Sequence, residues 1–405
     1  MNDFKVATFN VKNLIGADQE YYRFESYTPE EFAWKRDWLA RQLLKLDADV
    51  VCFQEIFDED ALWDVIEETN RLGRALNAVV LPDADKKYKK RAIFRRLEFK
   101  PYARDQLRFA PNANDGKPGE RRPGLAMLSR FGFEGKQTVT QVLKEPMTIR
   151  FPELGGGDAG EFRLTRMSRP IQRAVIDIEG TAITIYNIHF KSKLGEYLRA
   201  KGEPFAKEAD LTRYDAMGRA MGELRASTRR MSEALVLREL ILNDLKHGRP
   251  VMAMGDFNDS EHSVVSAIVS GEKPFKNYSW MRRHNAKHRD DRYSREENEQ
   301  ITRDIEAVKL TSAEAYFVRK SAKDMIYSSA FGGTYESIDQ ILLSPHFDPD
   351  TPKRVGEVDY LSVFNDHLTD GSHPEAPYNK LASDHGQLVA HISLLDRKPQ
   401  PQRRD

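Results

Sequence analysis

The feature that most constrains the fold is an alternation of strand-like and helix-like runs along nearly the whole chain. Strands are predicted over residues 4–9, 49–54, 172–178, 181–190, 250–255, 337–343 and 387–392. Helices are predicted over residues 28–46, 58–76 and 210–246. The first helix has a clear start, because Thr28 and Glu31 form a capping box and Pro29 fits the first helical position. Strands and helices therefore alternate from one end of the chain to the other.

One domain is predicted, because the strands at both ends of the chain carry parts of one candidate site. The 405 residues are enough for a single large domain, placed here over residues 1–395. Three segments resemble insertions in their composition, at residues 83–123, 281–304 and 345–383. Residues 396–405 are polar and are predicted to form a disordered tail.

Composition and charge exclude several classes of protein. Hydrophobic residues make up 40% and charged residues 31% of the chain, which suits a soluble globular protein. Lys+Arg equals Asp+Glu at 63 each, so a nucleic-acid partner would have to bind local basic patches. The one cysteine, Cys52, excludes an intramolecular disulfide and is expected to be buried. No signal peptide or membrane helix is visible, so a cytoplasmic protein without a membrane partner is expected.

Short polar clusters stand at the boundaries of the predicted strands. They occupy residues 8–10, 54–55, 187–193, 255–259, 337–340 and 383–386. They are rich in carboxylate, amide and imidazole groups and contain no cysteine, which suits Mg²⁺, Mn²⁺ or Ca²⁺ better than a thiolate-bound zinc. Phosphoester hydrolysis needs such groups: a metal for the phosphoryl charge, a carboxylate for the attacking water and a donor for the departing oxygen.

Each cluster taken singly also has a purely structural explanation. Asp256 and Asn258 fit an Asx turn. Glu55, His189 and Asp384 could be an ordinary carboxylate before a helix, a hydrogen-bonded internal histidine and a loop residue. The functional interpretation gains because all the clusters occur together, in one order, each at a strand boundary.

In that order the clusters resemble the endonuclease/exonuclease/phosphatase superfamily. The matching motifs are Phe-Asn at 9–10, Gln-Glu at 54–55, a histidine at 189, Gly-Asp-x-Asn at 255–258, Ile-Asp at 338–339 and Ser-Asp-His at 383–385. The superfamily includes pancreatic-type deoxyribonucleases, abasic-site endonucleases, neutral sphingomyelinases, inositol polyphosphate phosphatases and deadenylases. The resemblance implies a four-layer α/β sandwich of two packed mixed sheets flanked by helices, with the site at one edge of the sheets.

The resemblance also implies a role for each motif residue. The implied metal ligands are Glu55, Asp384 and Asn10, and the implied catalytic residues are His189, Asp256, Asn258, Asp339 and His385. Asp256 would activate the water, and Asn258 would hold the phosphate. His385, positioned by Asp339, would contact the scissile phosphate, and His189 would act near the leaving group. The implied ion is Mg²⁺ or Mn²⁺, with Ca²⁺ as a further possibility.

Residues 187–195 look like the His-Phe-Lys-Ser-Lys segment of bacterial nucleases in this superfamily, and residues 168–174 resemble their preceding Arg-Pro strand. This favours a nuclease that hydrolyses DNA or RNA by metal-assisted attack of water. Two residues depart from other branches. Lys12 stands where some members carry an acidic residue, and His189 stands where abasic-site enzymes carry a tyrosine motif.

A basic segment is the candidate polymer-binding region. Residues 86–108 interleave lysines and arginines with aromatic side chains, a pattern that can follow a phosphate backbone and stack bases. The candidate nucleic-acid-binding residues are Lys86, Lys87, Lys89, Lys90, Arg91, Lys191 and Lys193. A solvated charged loop is the alternative interpretation of the segment. Alternatives for the whole chain are a phosphatase or phosphodiesterase for a small or lipid substrate, and a non-catalytic binding protein, against which the intact motif set argues.

Overall fold

Two six-stranded sheets form the centre of the fold in the computed structural model, which describes residues 2–79, 98–150, 161–194, 216–271, 295–320, 326–370 and 381–395. The strands are β1 Asn2–Leu14, β2 Val50–Ile56, β3 Leu107–Ala110, β4 Gly124–Ser129, β5 Glu134–Arg150, β6 Glu161–Ile178, β7 Thr181–His189, β8 Val251–Asp256, β9 Thr311–Ser312, β10 Ser329–Phe331, β11 Thr334–Glu336, β12 Asp339–Leu343, β13 Gly356–Phe364 and β14 Gln387–Leu394. The helices in the described ranges are α1 Pro29–Leu46, α2 Glu59–Asn77, α3 Ala216–Lys246, α4 Val264–Ser270, α5 Arg295–Glu306 and α6 Ala313–Lys320.

Both large sheets are mixed. The first has the order β13-β14-β1-β2-β4-β3, and the second has the order β5-β6-β7-β8-β12-β9. Within the first sheet β1 and β2 are parallel, and within the second β7 and β8 are parallel, whereas their other neighbours run antiparallel. Strands β10 and β11 form a separate two-stranded hairpin.

Three apolar clusters show how the layers pack. One lies between the two sheets, where Val6 and Cys52 of the first sheet join Ile185 and Met254 of the second. A second cluster packs α1 and α2 on the outer face of the first sheet. A third packs α3 and α4 on the outer face of the second sheet. The chain is therefore a four-layer α/β sandwich, as predicted.

Most predicted elements agree with the structure in type and position. Helix α1 begins as expected, because Thr28 Oγ1 accepts from the backbone N–H of Glu31 at 3.2 Å and Glu31 Oε2 accepts from the backbone N–H of Thr28 at 3.1 Å. The predicted hairpin is β6 and β7, joined by a turn with positive φ at Glu179 and Gly180. Cys52 is fully buried between the sheets.

Parts of the segments predicted as insertions belong to regular elements. Strand β3 lies within residues 83–123 and closes one edge of the first sheet, and β13 lies within residues 345–383 and closes the other. Val358 and Leu361 of β13 reach the core between the sheets. Residues 295–304 form most of α5, whereas residues 281–294 and 396–405 lie outside the described ranges. No helix in the described ranges is both long enough and apolar enough to cross a membrane.

Candidate active site at the edge of the two sheets

The sheet topology brings the polar clusters to one edge of the sandwich. Parallel strands end at the same edge, so Asn10 at the end of β1 lies beside Gln54 of β2. In the second sheet His189 at the end of β7 lies beside Asp256 at the end of β8. Strand β12 runs antiparallel to β8 and begins at this edge, with Asp339 opposite Asp256. The two sheets therefore present their polar ends to one common site.

Buried amides join the two sheets directly beneath the site. Gln54 donates to Asn187 Oδ1 at 2.8 Å, and Asn187 Nδ2 donates to the backbone oxygens of Phe53 and Ala126 at 3.1 and 2.9 Å. Both amides are fully buried, so each unmet hydrogen bond would be costly. Sequence reasoning placed both residues in clusters but assigned them no role. A buried amide inside an otherwise apolar strand is the signal that could have identified them.

Lys35 of α1 is a second residue that sequence reasoning missed. Its side chain is fully buried, and its ammonium donates to the backbone oxygens of Val11 at 3.0 Å and Leu381 at 3.2 Å. Burial lowers the pKa of Lys35 to about 7, and the neighbouring Lys12 lowers it further. This contact ties β1 to the segment that carries Asp384 and His385.

The backbone is unusual at three positions of the site. Glu55 has φ of 65° at a register shift in β2, so the chain bulges there and turns the carboxylate toward the site. Asn258 has φ of 51°. Gly255 has φ of 146°, and a Cβ atom there would lie 2.0 Å from the backbone oxygen of Ile188. Such conformations in non-glycine residues cost free energy and are common at functional sites.

Asp339 and His385 form a hydrogen-bonded pair. Asp339 Oδ2 lies 2.8 Å from His385 Nδ1, and the Asp339 side chain is fully buried. Burial by itself disfavours the imidazolium, but Asp339 and then Asp256 outweigh it and raise the pKa of His385 well above its ordinary value. His385 is therefore protonated at neutral pH, with Nε2 directed into the site.

Asp256 is the centre of the site. Its Oδ1 accepts from the backbone N–H of Asn258 at 2.7 Å. Its Oδ2 lies 3.1 Å from Asn10 Nδ2, 3.3 Å from His189 Nε2 and 3.8 Å from His385 Nε2. Burial raises the pKa of Asp256 to about 7, against the opposing effect of the His385 charge. The carboxyl group can therefore exchange a proton near neutral pH.

His189 and Asn258 flank Asp256. Burial, together with the charge of Arg169 and His385, lowers the pKa of His189 well below its ordinary value, so the ring is neutral. Its Nε2 faces Asp256, and its buried Nδ1 has no hydrogen-bond partner among the described residues. Asn258 Nδ2 donates to the backbone oxygen of Phe190 at 3.0 Å and to Asp256 Oδ2 at 3.2 Å, which holds the carboxylate in place.

The residues present fit a divalent metal ion. Glu55 Oε1 lies 3.3 Å from Asn10 Nδ2 and is partly exposed, so this carboxylate oxygen is accessible at the mouth of the site. Oxygen donors of this kind suit Mg²⁺ and Mn²⁺. Asn10 directs its nitrogen into the site while its oxygen accepts from the backbone N–H of Lys12 at 3.0 Å. Asp384 is half-exposed, and its Oδ2 lies 3.5 Å from Lys12 Nζ.

A second group of donor atoms lies deeper in the site. Asp256, Asp339 and His385 each place one donor atom within 4.8 Å of the others. The raised pKa of His385 keeps its imidazole protonated, and a protonated ring has no free lone pair for a metal. Glu55, nearer the surface, is therefore the better candidate ligand.

The predicted nucleic-acid-binding residues are only partly described. Lys191 Nζ donates to the backbone oxygen of Leu194 at 3.0 Å, and Lys193 Nζ lies 2.7 Å from Glu336 Oε2 and 3.9 Å from Asp259 Oδ1. The five remaining candidates, Lys86, Lys87, Lys89, Lys90 and Arg91, lie outside the described residues.

The fold and the site together define a hydrolase of phosphoester bonds. The chain belongs to the Endonuclease/Exonuclease/phosphatase family, whose model matches residues 7–385. Members of this family hydrolyse phosphoester bonds, include nucleases, phosphodiesterases and phosphatases, and generally depend on a divalent metal.

Solved structures that resemble the chain come from bacteria and from animals. The endonuclease/exonuclease/phosphatase from Bacteroides vulgatus is 13% identical, with coverage of 98% of this chain and 100% of that chain and a TM-score of 0.47. The human nocturnin catalytic domain with bound sulfate is 14% identical, with coverage of 97% and 95% and a TM-score of 0.44. The mannosyl-6-phosphatase of Bacteroides thetaiotaomicron is 13% identical, with coverage of 97% and 100% and a TM-score of 0.43. The curated proteins contain no match to the chain.

Proposed function

We propose that the protein is a metal-dependent phosphodiesterase and that its substrate is a nucleic acid. One observation carries the proposal. Asp256 and His385 face each other at 3.8 Å, and their surroundings leave a carboxyl group whose pKa is about 7 beside an imidazole whose pKa is raised. Two titratable groups in such different environments suit the acid and base roles of a hydrolytic reaction.

Glu55 would hold the metal ion, with Asp384 and Asn10 as neighbouring ligands. When bound, a divalent ion would supply positive charge against a phosphoryl oxygen. Asp384 would have to exchange its contact with Lys12 for the ion, and Asn10 would have to present its oxygen instead of its nitrogen.

The chain's own residues would handle the proton and the phosphate charge. Asp256 would accept a proton from the attacking water, because its pKa of about 7 makes it a base that is effective near neutral pH. His385 would direct its protonated Nε2 toward a phosphate oxygen, and Asp339 would hold the ring in that orientation. His189 would donate from Nε2 near the departing oxygen, and Asn258 would hold Asp256 and contact the phosphate.

A nucleic acid is the preferred substrate because residues 187–193, which resemble the bacterial nuclease segment, run directly out of the site. The backbone N–H of Lys191 is held by Glu233 Oε2 at 2.8 Å, so the segment has a defined path beside His189. One observation favours a second candidate, a phosphatase or phosphodiesterase for a small phosphoester. Lys193 is already paired with Glu336, and a neutralised lysine contributes little to binding a phosphate backbone.

The decisive experiment measures cleavage of labelled single-stranded DNA, double-stranded DNA and RNA, with bis(p-nitrophenyl) phosphate as a small substrate. Each reaction contains Mg²⁺ or Mn²⁺, and a parallel reaction contains EDTA. His385→Ala removes the proposed cationic group. His262→Ala is the matched control, because His262 is 90% exposed and lies outside the site.

Metal-dependent cleavage of a polynucleotide that His385→Ala loses and His262→Ala keeps would support the nuclease proposal. Cleavage of only the small substrate would favour the second candidate. Cleavage of neither substrate with either metal would contradict the proposal that the protein is a phosphodiesterase.

A further inference from the structure

A cavity of about 420 Å³ lies on the second sheet, outside the proposed catalytic site. Four arginines, Arg163, Arg166, Arg225 and Arg229, line it together with Asn114 and Thr165. Arg163 and Arg166 belong to β6, and Arg225 and Arg229 belong to α3. We call this feature the arginine cavity. It joins residues about 60 positions apart in the chain, so its composition is not visible as a basic run in the sequence.

The positive charge of the arginine cavity is poorly compensated. Arg163 and Arg166 form no ion pair within the described part of the chain, and Arg166 donates only to neutral acceptors, the backbone oxygen of Ala113 and the side chain of Asn114. Arg229 has Glu233 at 3.7 Å. Four guanidinium groups around one cavity repel one another, and a bound phosphate would relieve that repulsion with two or more charge-assisted hydrogen bonds.

The cavity is connected to the proposed catalytic site through Glu233. One oxygen of this buried carboxylate accepts from the backbone N–H of Ser168 at 2.7 Å, and the other accepts from the backbone N–H of Lys191 at 2.8 Å. Lys191 follows His189 by two residues. Arg229 and Arg225 lie one and two helical turns from Glu233 on the same face of α3, about 6 and 12 Å along the helix axis. The arginine cavity is therefore only a few nucleotides away from His189.

We propose that the arginine cavity binds a backbone phosphate of the substrate strand away from the bond that is cut. The proposal rests on the proposed nuclease function and narrows it, because such a site serves a polymer and not a small phosphoester. Guanidinium groups match phosphate in a bidentate geometry, and the Thr165 hydroxyl and the Asn114 amide add neutral donors.

The test is the double variant Arg163→Gln/Arg225→Gln in the full chain. Neither residue belongs to the proposed catalytic machinery. The control is Arg41→Gln/Arg74→Gln, which removes the same charge from two exposed arginines on α1 and α2, the helices of the opposite outer layer. Specific activities, kcat/KM values and their salt dependence are measured with a long single-stranded oligonucleotide, a trinucleotide and bis(p-nitrophenyl) phosphate.

The arginine cavity variant should lose roughly tenfold in kcat/KM on the long oligonucleotide at physiological salt, with a salt dependence shallower by about 0.7 per lost contact. Its activity on bis(p-nitrophenyl) phosphate should equal that of the wild type, and the control variant should behave as the wild type on every substrate. An unchanged kcat/KM and salt slope on the long oligonucleotide would overturn the inference while leaving the nuclease function intact. If the wild type itself cuts only the small substrate, the proposed nuclease function is wrong and the inference falls with it.

Discussion

Gly255 should be the position where the smallest substitution does the greatest damage to the site. It pairs with Ile188 across β7 and β8, one residue before the pair formed by His189 and Asp256. An added methyl group at Gly255 would lie 2.0 Å from the Ile188 oxygen, whereas carbon and oxygen atoms normally approach no closer than about 3.3 Å. The two strands would therefore have to separate by about 1 Å.

Two costs of the Gly255→Ala substitution can be worked out from this geometry. The φ of 146° suits glycine and strains alanine, which costs about 1–3 kcal/mol. Forcing the strands apart costs about 1–3 kcal/mol more. The same movement lengthens the 3.3 Å contact between His189 Nε2 and Asp256 Oδ2, and a displacement of about 1 Å can lower the catalytic rate by about 100-fold.

The assay is urea unfolding of Gly255→Ala together with its phosphodiesterase kcat. Gly180→Ala is the matched control, because Gly180 has φ of 81° in the β6–β7 turn but open space around its Cβ position. The control should show only the conformational cost and keep full activity. If Gly255→Ala unfolds at the same urea concentration as Gly180→Ala, or keeps the wild-type kcat, the close approach of the two strands is not what holds the site together.

Three further predictions follow from the buried charges. Asp339→Asn should lower kcat by about 10²–10⁴-fold and move the alkaline limb of the pH–rate profile to lower pH, because Asp339 raises the pKa of His385; a rate profile with an unmoved limb would contradict that role. Asp244→Ala should destabilise the protein by about 3–5 kcal/mol in urea unfolding, because it leaves the partly buried Arg173 guanidinium, now bonded at 2.7 and 2.8 Å, without its partner; a loss below about 1 kcal/mol would refute this. The raised pKa of Asp256, about 7, means that the native state keeps a proton that the unfolded chain loses above about pH 4, so wild-type stability should fall between pH 4 and 7 and stay lower above it; Asp256→Asn should therefore raise the metal-free Tm at pH 8, by up to about 4 kcal/mol of stability, but not at pH 4, and equal effects at both pH values would contradict the assignment.

The elements and the position of the site follow from patterns that act locally. A capping box at Thr28 and periodic apolar residues specify α1 with little help from the rest of the chain. The convergence of Asn10, His189 and Asp256 could be predicted because the polar ends of parallel strands meet at one edge of a sheet. The family resemblance then supplied the four-layer arrangement, which periodicity alone does not specify.

Other features depend on packing between distant segments. Strand β13 lies in a stretch rich in Pro and Asp, and only its pairing with β14 makes it part of the sheet. The orientation of the Asn10 amide and the contact of Lys12 with Asp384 depend on which side chains meet across the sheets. Likewise, Lys35 is a surface-type residue whose burial is decided by two backbone oxygens from other segments. No local pattern records such contacts.

The most direct test of the account measures hydrolysis of bis(p-nitrophenyl) phosphate against Mg²⁺ concentration, for the wild type and for Glu55→Gln. Glu30→Gln, an exposed carboxylate in the first turn of α1, is the control. We predict saturable, Mg²⁺-dependent hydrolysis that needs at least about tenfold more Mg²⁺ in Glu55→Gln than in the other two proteins, because the loss of a carboxylate weakens the hold on a hard cation. Hydrolysis that persists in EDTA, or a Glu55→Gln variant with the wild-type Mg²⁺ dependence, would contradict the claim that this sheet edge is a metal-dependent hydrolytic site.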